Sequence, residues 1–273
     1  MGASKMKNET QGATPAPQYP NVITGPEDIP DHLKHHIMRA HGITYFHHPM
    51  MVTILPTLTP EPLEQTLARR ADMAAAYLQK GNVSAYLTMT SRAYRMDALS
   101  SLVGDGYFDP EKVEDRIAYW EHARAVWVDA EQPEDDERWT RLMTDMPEPW
   151  RMTSDEDRRD MRAFPYMVPV YKGMRVPHSA TDEEIYAMSE VGWSWTISKS
   201  VAHYFGCRFE SDSTRGIVVR AGAPRDDITA YVTDRGEEEV LIRPGTVRAT
   251  SWKHTSLAYI HRVPNTENNA DVS

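Results

Sequence analysis

Arg235-Gly236-Glu237-Glu238-Glu239-Val240-Leu241-Ile242 is the stretch whose reading decides the fold. Its second half is aliphatic and β-branched, which predicts a buried strand. The acidic triplet runs straight into that strand. Side chains on a strand alternate faces, so Glu237 and Glu239 are expected on one face and Glu238 on the other. Two carboxylates on one face, at the mouth of an apolar strand, are costly to place unless a cation or polar group meets them. Pro244-Gly245 then ends the strand. Taken alone, the octapeptide also fits a charged edge strand whose acids deter aggregation.

Two stretches upstream shift the balance. Val170-Tyr171-Lys172-Gly173-Met174-Arg175 reads as a short strand ending in a basic turn. Gly192-Trp193-Ser194-Trp195-Thr196 reads as a strand with Ser194 and Thr196 on one face and both indoles on the other. In this order the three stretches resemble the mono-ADP-ribosyltransferases of the Arg–Ser–Glu type. That family joins an aromatic-Arg strand, a Ser-x-Ser/Thr strand and a Glu-x-Glu that leads into a Val-Leu strand. It uses NAD+ and transfers ADP-ribose. The likeness covers the C-terminal part of the chain, and Glu237-x-Glu239-Val240-Leu241 is its most specific element. A helical N-terminal half ahead of the same signature also resembles, more loosely, phage-encoded proteins.

The resemblance implies a role for each residue. Cleaving the nicotinamide–ribose bond leaves an oxocarbenium-like sugar carbon, and a fixed carboxylate beside it stabilises that charge. Glu239 takes this place, with Glu237 positioned to accept a proton from the incoming nucleophile. Ser194 would hold the Glu239 carboxylate, and Thr196 would line the same face. The family has arginine directly after the aromatic residue, where this chain has Lys172. Lysine offers a mobile point charge in place of a rigid fork. Lys172 is expected at the NAD+ pyrophosphate, and Arg175 only if Gly173 marks a bulge or turn. Tyr171, Trp195, Tyr204 and Phe205 are the rings that could stack on nicotinamide or pack in the core. Arg235 is either an ion-pair partner of the acids or a contact on the acceptor side.

Composition bounds the rest. A chain of 273 residues that is 40% hydrophobic can bury a core as one or two domains. A formal net charge of −10 argues against general nucleic-acid or membrane binding. One cysteine, Cys207, excludes an internal disulfide framework and fits a reducing cytoplasm, the host's if the chain is phage-encoded. No run approaches the about 18 apolar residues of a membrane span, and no signal-peptide segment opens the chain.

Along the chain, residues 1–30 are poor in large apolar groups and predict a mobile arm. Asp31 opens a helix to about Ala40, on which His32 and His36 would share a face as some zinc sites begin. No Cys or acid completes a ligand set, so no metal is assigned. Residues 45–55 form a strand or extended segment. Thr59-Pro60-Glu61 opens a helix that runs to Gly81, and a second helix spans Ser84 to Val103. Asp109-Pro110-Glu111 opens the clearest helix, with Trp120 and Trp127 on one face as core. Glu131–Glu137 is a solvated acidic break, followed by a helix carrying Trp139, Leu142, Met143 and Met146. Thr153-Ser154-Asp155-Glu156 reads as a capping box for the last helix before the boundary near residue 165. Beyond it, helices starting at Thr181 and Ser198 precede strands at 217–219, 228–232, 240–242, 247–249 and 257–263.

The expectation is an α+β protein: a helical region, 31–164, then an ADP-ribosyltransferase-like mixed sheet in two packed layers, 165–273. The leading function is transfer of ADP-ribose from NAD+ to a protein. The alternatives are NAD+ hydrolysis, or a binding or virion-associated module of the same fold without turnover.

Overall fold

The sequence breaks its helical spacing after residue 161, and the chain changes architecture there. A computed structural model describes residues 25–40, 42–55, 63–130, 136–208 and 211–255. Three short strands come first, β1 (Ile37–Ala40), β2 (Ile43–His48) and β3 (Met51–Ile54), forming an antiparallel sheet in that order. Six helices follow: α1 (Leu63–Gln79), α2 (Val83–Met89), α3 (Arg95–Gly104), α4 (Val113–Asp129), α5 (Asp136–Asp145) and α6 (Asp155–Met161). The rest alternates: β4 (Met167–Pro177), α7 (Asp182–Ser189), β5 (Ser194–Thr196), α8 (Lys199–Cys207), β6 (Thr214–Pro224), β7 (Ile228–Val232), β8 (Glu239–Ile242) and β9 (Ala249–His254). The fold is α+β. Among the described residues, no helix is long and apolar enough to cross a membrane.

Several local expectations are corrected. The helix begun at Asp31 is a 3-10 turn that stops at His36, because the next four residues pair with β2 and cover the fully buried Phe46. The histidine pair at 32 and 36 is thereby lost: His32 faces Glu64, and His36 Nδ1 meets the His47 carbonyl. Ile29 is buried with Leu33 and Phe46, so the predicted arm does not extend to residue 30. The helix expected over 84–103 breaks at Thr90–Ser91. There the Ser91 N–H and hydroxyl donate to the Pro49 and His48 carbonyls, which ties the helices to the small sheet. The cap of α6 is Ser154, one residue later than read, and Thr153 instead accepts from the Tyr231 N–H. The box at Thr181 and Glu184 forms as expected and opens α7. The openings at 59–61, the acids at 131–135 and the strand at 257–263 lie outside the described residues.

The large sheet has six described strands in the order β7-β8-β5-β4-β6-β9, and every described pairing is antiparallel. Among the described residues it is thus antiparallel and not mixed, and its halves, β7-β8-β5 and β4-β6-β9, join through the single pair Tyr171 and Thr196. The strand through Tyr171 does not turn at Gly173 either; it pairs with β6 without a bulge from Met167 to Pro177. One face of the sheet, with Val168, Val170, Trp195, Val240 and Ile242, is buried with Ile185 of α7. The other face is covered by two bodies. The helical core of Leu99, Trp120, Trp127, Trp139 and Leu142 continues onto Trp193, Ala230 and Leu241. Beside it, α8 lies almost directly on β4 and β6. A Cβ on Gly173 would sit 1.8 Å from the Ala202 carbonyl oxygen, and one on Gly216 would sit 2.5 Å from that of Gly206.

A histidine under α8 gives the fold a pH limit. His203 is 4% exposed, with Nδ1 2.6 Å from Thr255 Oγ1. Burial, with Lys199 and Lys253 nearby, pushes its pKa down from 6.5 to about 4. The folded state therefore prefers neutral imidazole. Its contribution is complete above pH 6.5 and is lost as the pH falls toward 4. Burial lowers His36 and His48 as well, and their rings lie 4.4 Å apart. Urea denaturation should therefore show a loss of roughly 2–3 kcal/mol across that window. His203→Gln should flatten the dependence.

Candidate active site

Glu239 is the first residue of β8 and lies inside the sheet, opposite Thr196 of β5 and Val232 of β7. Only 4% of it is exposed. A buried carboxylate needs donors, and three segments of the chain supply them. Ser194 donates its hydroxyl to Oε1. The Trp127 indole N–H, from α4, donates to Oε2 at 2.8 Å. Arg235 Nη2 reaches the same oxygen at 3.3 Å.

Glu237 joins this group by a route the alternation of a strand did not foresee. The strand begins only at Glu239, and Glu238 takes a left-handed conformation with φ +45°. Such a conformation is strained for a residue with a side chain. The turn is held from below, where the Thr196 hydroxyl donates to the carbonyls of Glu237 at 2.7 Å and Glu238 at 3.2 Å. The Ile197 N–H adds a third bond, to Glu238. Arg235 then brings the two acids together, its Nη2 lying 2.8 Å from Glu237 Oε2 and 3.3 Å from Glu239 Oε2. Burial holds the Glu237 carboxyl above its ordinary 4.5, helped by the neighbouring Glu239 and opposed by Arg235 and Arg208. Arg235 thus bridges the two acids, and Arg208 lies within electrostatic reach of Glu237.

The loop carrying Arg235 is fastened to the helices at its start. Arg124 of α4 bonds Asp157 and Asp234, each at 2.6 Å, and Thr233 donates to Asp157 at 2.6 Å. Burial pushes the Asp157 carboxyl up, but bonds from Thr233, Arg124 and Ser154 outweigh it and keep it below the ordinary carboxylate range.

The remaining predicted residues divide by face. Register places Tyr171, Gly173 and Arg175 on the face of Ser194, Thr196 and Glu239. Tyr171 is half-buried and Arg175 exposed. Gly173 makes room for the backbone of α8 and marks no bulge. The Thr196 hydroxyl is committed to the acidic turn and to the Ser198 N–H. Lys172 lies on the opposite face, which corrects its expected place at the pyrophosphate, and Trp195 lies there too, as its alternation with Ser194 and Thr196 predicts, which leaves it packing in the core and not stacking beside the acids. Trp195 is 4% exposed within the sheet core, and the Lys172 ammonium sits 4.9 Å from its ring. That ammonium donates to the carbonyls of Ser189, Val191 and Gly192 at the end of α7. The two indoles of Trp193 and Trp195 also part company. Trp193 lies just outside the strand and turns to the helical core, where its N–H meets Thr140.

Sequence reasoning missed Trp127 and Arg124. Both lie on the inward face of α4, and nothing local marks a partner far along the chain. Among the described residues, no group of three or more His, Cys, Asp or Glu could hold a metal ion. Cys207 is buried, its sulfur 3.3 Å from Thr255 Oγ1. Comparison of the chain with protein-family models, with curated proteins and with solved structures gives no match.

The position of Lys172 makes a specific prediction. Lys172→Met removes the cation that caps the α7 carbonyls, and water replaces only part of it. It should lower stability by about 1 kcal/mol in a denaturant titration. The hydrogen bonds around Glu239, on the other face, should stay as they are.

Proposed function

We propose that the chain is a mono-ADP-ribosyltransferase that transfers ADP-ribose from NAD+ to a protein. The observation that carries this reading is the buried Glu239 carboxylate, braced by the Ser194 hydroxyl and joined through Arg235 to a second carboxylate, Glu237. The nicotinamide ribosyl group of NAD+ is cationic, and two adjoining carboxylates, one of them buried, suit it. In the reaction, the bond between the nicotinamide nitrogen and the ribose carbon breaks, and its electron pair leaves on the nitrogen. Glu239 stabilises the positive charge left on the sugar. The acceptor's lone pair closes on the same carbon, and Glu237 takes the acceptor's proton. Arg235 neutralises the acids until a cationic substrate displaces it; its side chain is 36% exposed and can move into solvent. With Cys207 reduced, the cytoplasm is the compartment that fits.

One observation favours a second reading, a module of the same fold without turnover. Lys172 is engaged with carbonyls on the far face, so the phosphate contact that the family resemblance implies is not made from that position.

Incubation with NAD+ labelled in the adenylate separates the readings. Label on protein supports transfer, nicotinamide release without label supports hydrolysis, and neither supports the inert module. Glu239→Gln should keep the fold, since the amide oxygen can accept from Trp127 and Arg235 while Ser194 reverses its hydroxyl. Turnover should nevertheless fall about 100-fold or more. Because burial raises Glu237, transfer in the active protein should decline on its acid side at a pH above the ordinary carboxylate value of 4.5. Glu237→Gln should remove that limb along with transfer. A Glu239→Gln protein that turns over at the original rate would overturn the assignment.

A further inference from the structure

We propose that Trp127 is a positioning residue for Glu239, so that the helical region supplies part of the catalytic unit; this rests on the transferase reading above. The three donors to the carboxylate are not equivalent. Arg235 is cationic and partly exposed, so it cancels charge, and it is shared among Glu237, Glu239 and the Val128 carbonyl. Ser194 and Trp127 are neutral, one on each oxygen. Together they fix the plane of the carboxylate without reducing the negative charge that a cationic transition state requires.

Trp127 is well held for this purpose. It is 2% exposed, and its ring packs edge-on against Trp139 with centroids 4.4 Å apart. The indole has no room to swing, so its N–H direction is set by the helical core. Trp139 supplies an internal contrast. It is equally buried, but its own N–H is without a hydrogen-bond partner. Of two indoles in contact, one spends its donor on Glu239 and the other makes no such bond. Phenylalanine at position 127 removes the donor together with one ring of the indole, and the same change at Trp139 measures the part of the effect that is lost volume alone.

The test compares Trp127→Phe with Trp139→Phe in the full chain, after circular dichroism has verified that both fold. Trp127→Phe is expected to lower kcat on the order of 10- to 100-fold, with KM for NAD+ unchanged. Trp139→Phe removes the same atoms without a bond to Glu239 and is expected to leave kcat near the original. Equal losses in the two variants, an unchanged kcat in Trp127→Phe, or a loss confined to KM would overturn the proposal. A second measurement does not need activity. In a proton–nitrogen NMR spectrum, the Trp127 indole signal, identified by its disappearance in Trp127→Phe, should move upfield in Glu239→Gln while that of Trp139 stays. An unmoved Trp127 signal would overturn the proposal. Should the original protein show no turnover of NAD+, the transferase reading fails, and the indole signal alone decides whether Trp127 holds the carboxylate.

Discussion

A carboxylate taken out of water is the constraint on which the rest of this structure turns. Glu239 is buried at the start of a strand, and removal of its hydration would be prohibitive without replacement donors. The chain answers with a hydroxyl from the neighbouring strand, an indole from a helix and a guanidinium from the loop before the strand. Each donor comes from a different layer. The sheet, the helices and the acidic loop must therefore be assembled together for the charge to be tolerated, and any of the three alone leaves it short of partners.

The same dependence explains why the helical and sheet regions share a core. Trp193, Ala230 and Leu241 of the sheet region are buried among helical side chains, and Arg124 ties α4 to both Asp157 and Asp234. The helices close one face of the sheet down to Glu239. The anionic group consequently lies in a seam between the helical core and α8, where an arriving cation would find negative charge in poorly hydrated surroundings.

Much of this was legible in the sequence because it depends on local pattern. The strands at 217–219, 228–232 and 240–242 follow from β-branched runs, and α7 from its capping box. The contact between Ser194 and Glu239 followed from the resemblance. What was not legible depends on long-range geometry. The strand through Tyr171 runs past Gly173 because β6 pairs with its whole length. Lys172 faces away from Glu239 because a regular strand fixes its side. The helix through Ser91 breaks because carbonyls of the small sheet wait for its donors. Trp127 reads as core from its spacing, and it is core. Its further bond spans 112 residues, a distance no local pattern carries.

The glycines under α8 have a mechanical consequence. With no side-chain layer between its backbone and strands β4 and β6, this helix behaves as a rigid wall with no slack for sliding or rotation. Adjustment to a visiting molecule must then fall to the tight turn from Asp234 to Glu238. That turn is pinned at one end by Arg124 on Asp234 and at the other by Thr196 on Glu237 and Glu238, which leaves Arg235 and Gly236 between them as the compliant part. The stiff helix and the yielding turn thus divide the labour, and the yielding part carries the guanidinium that meets both acids.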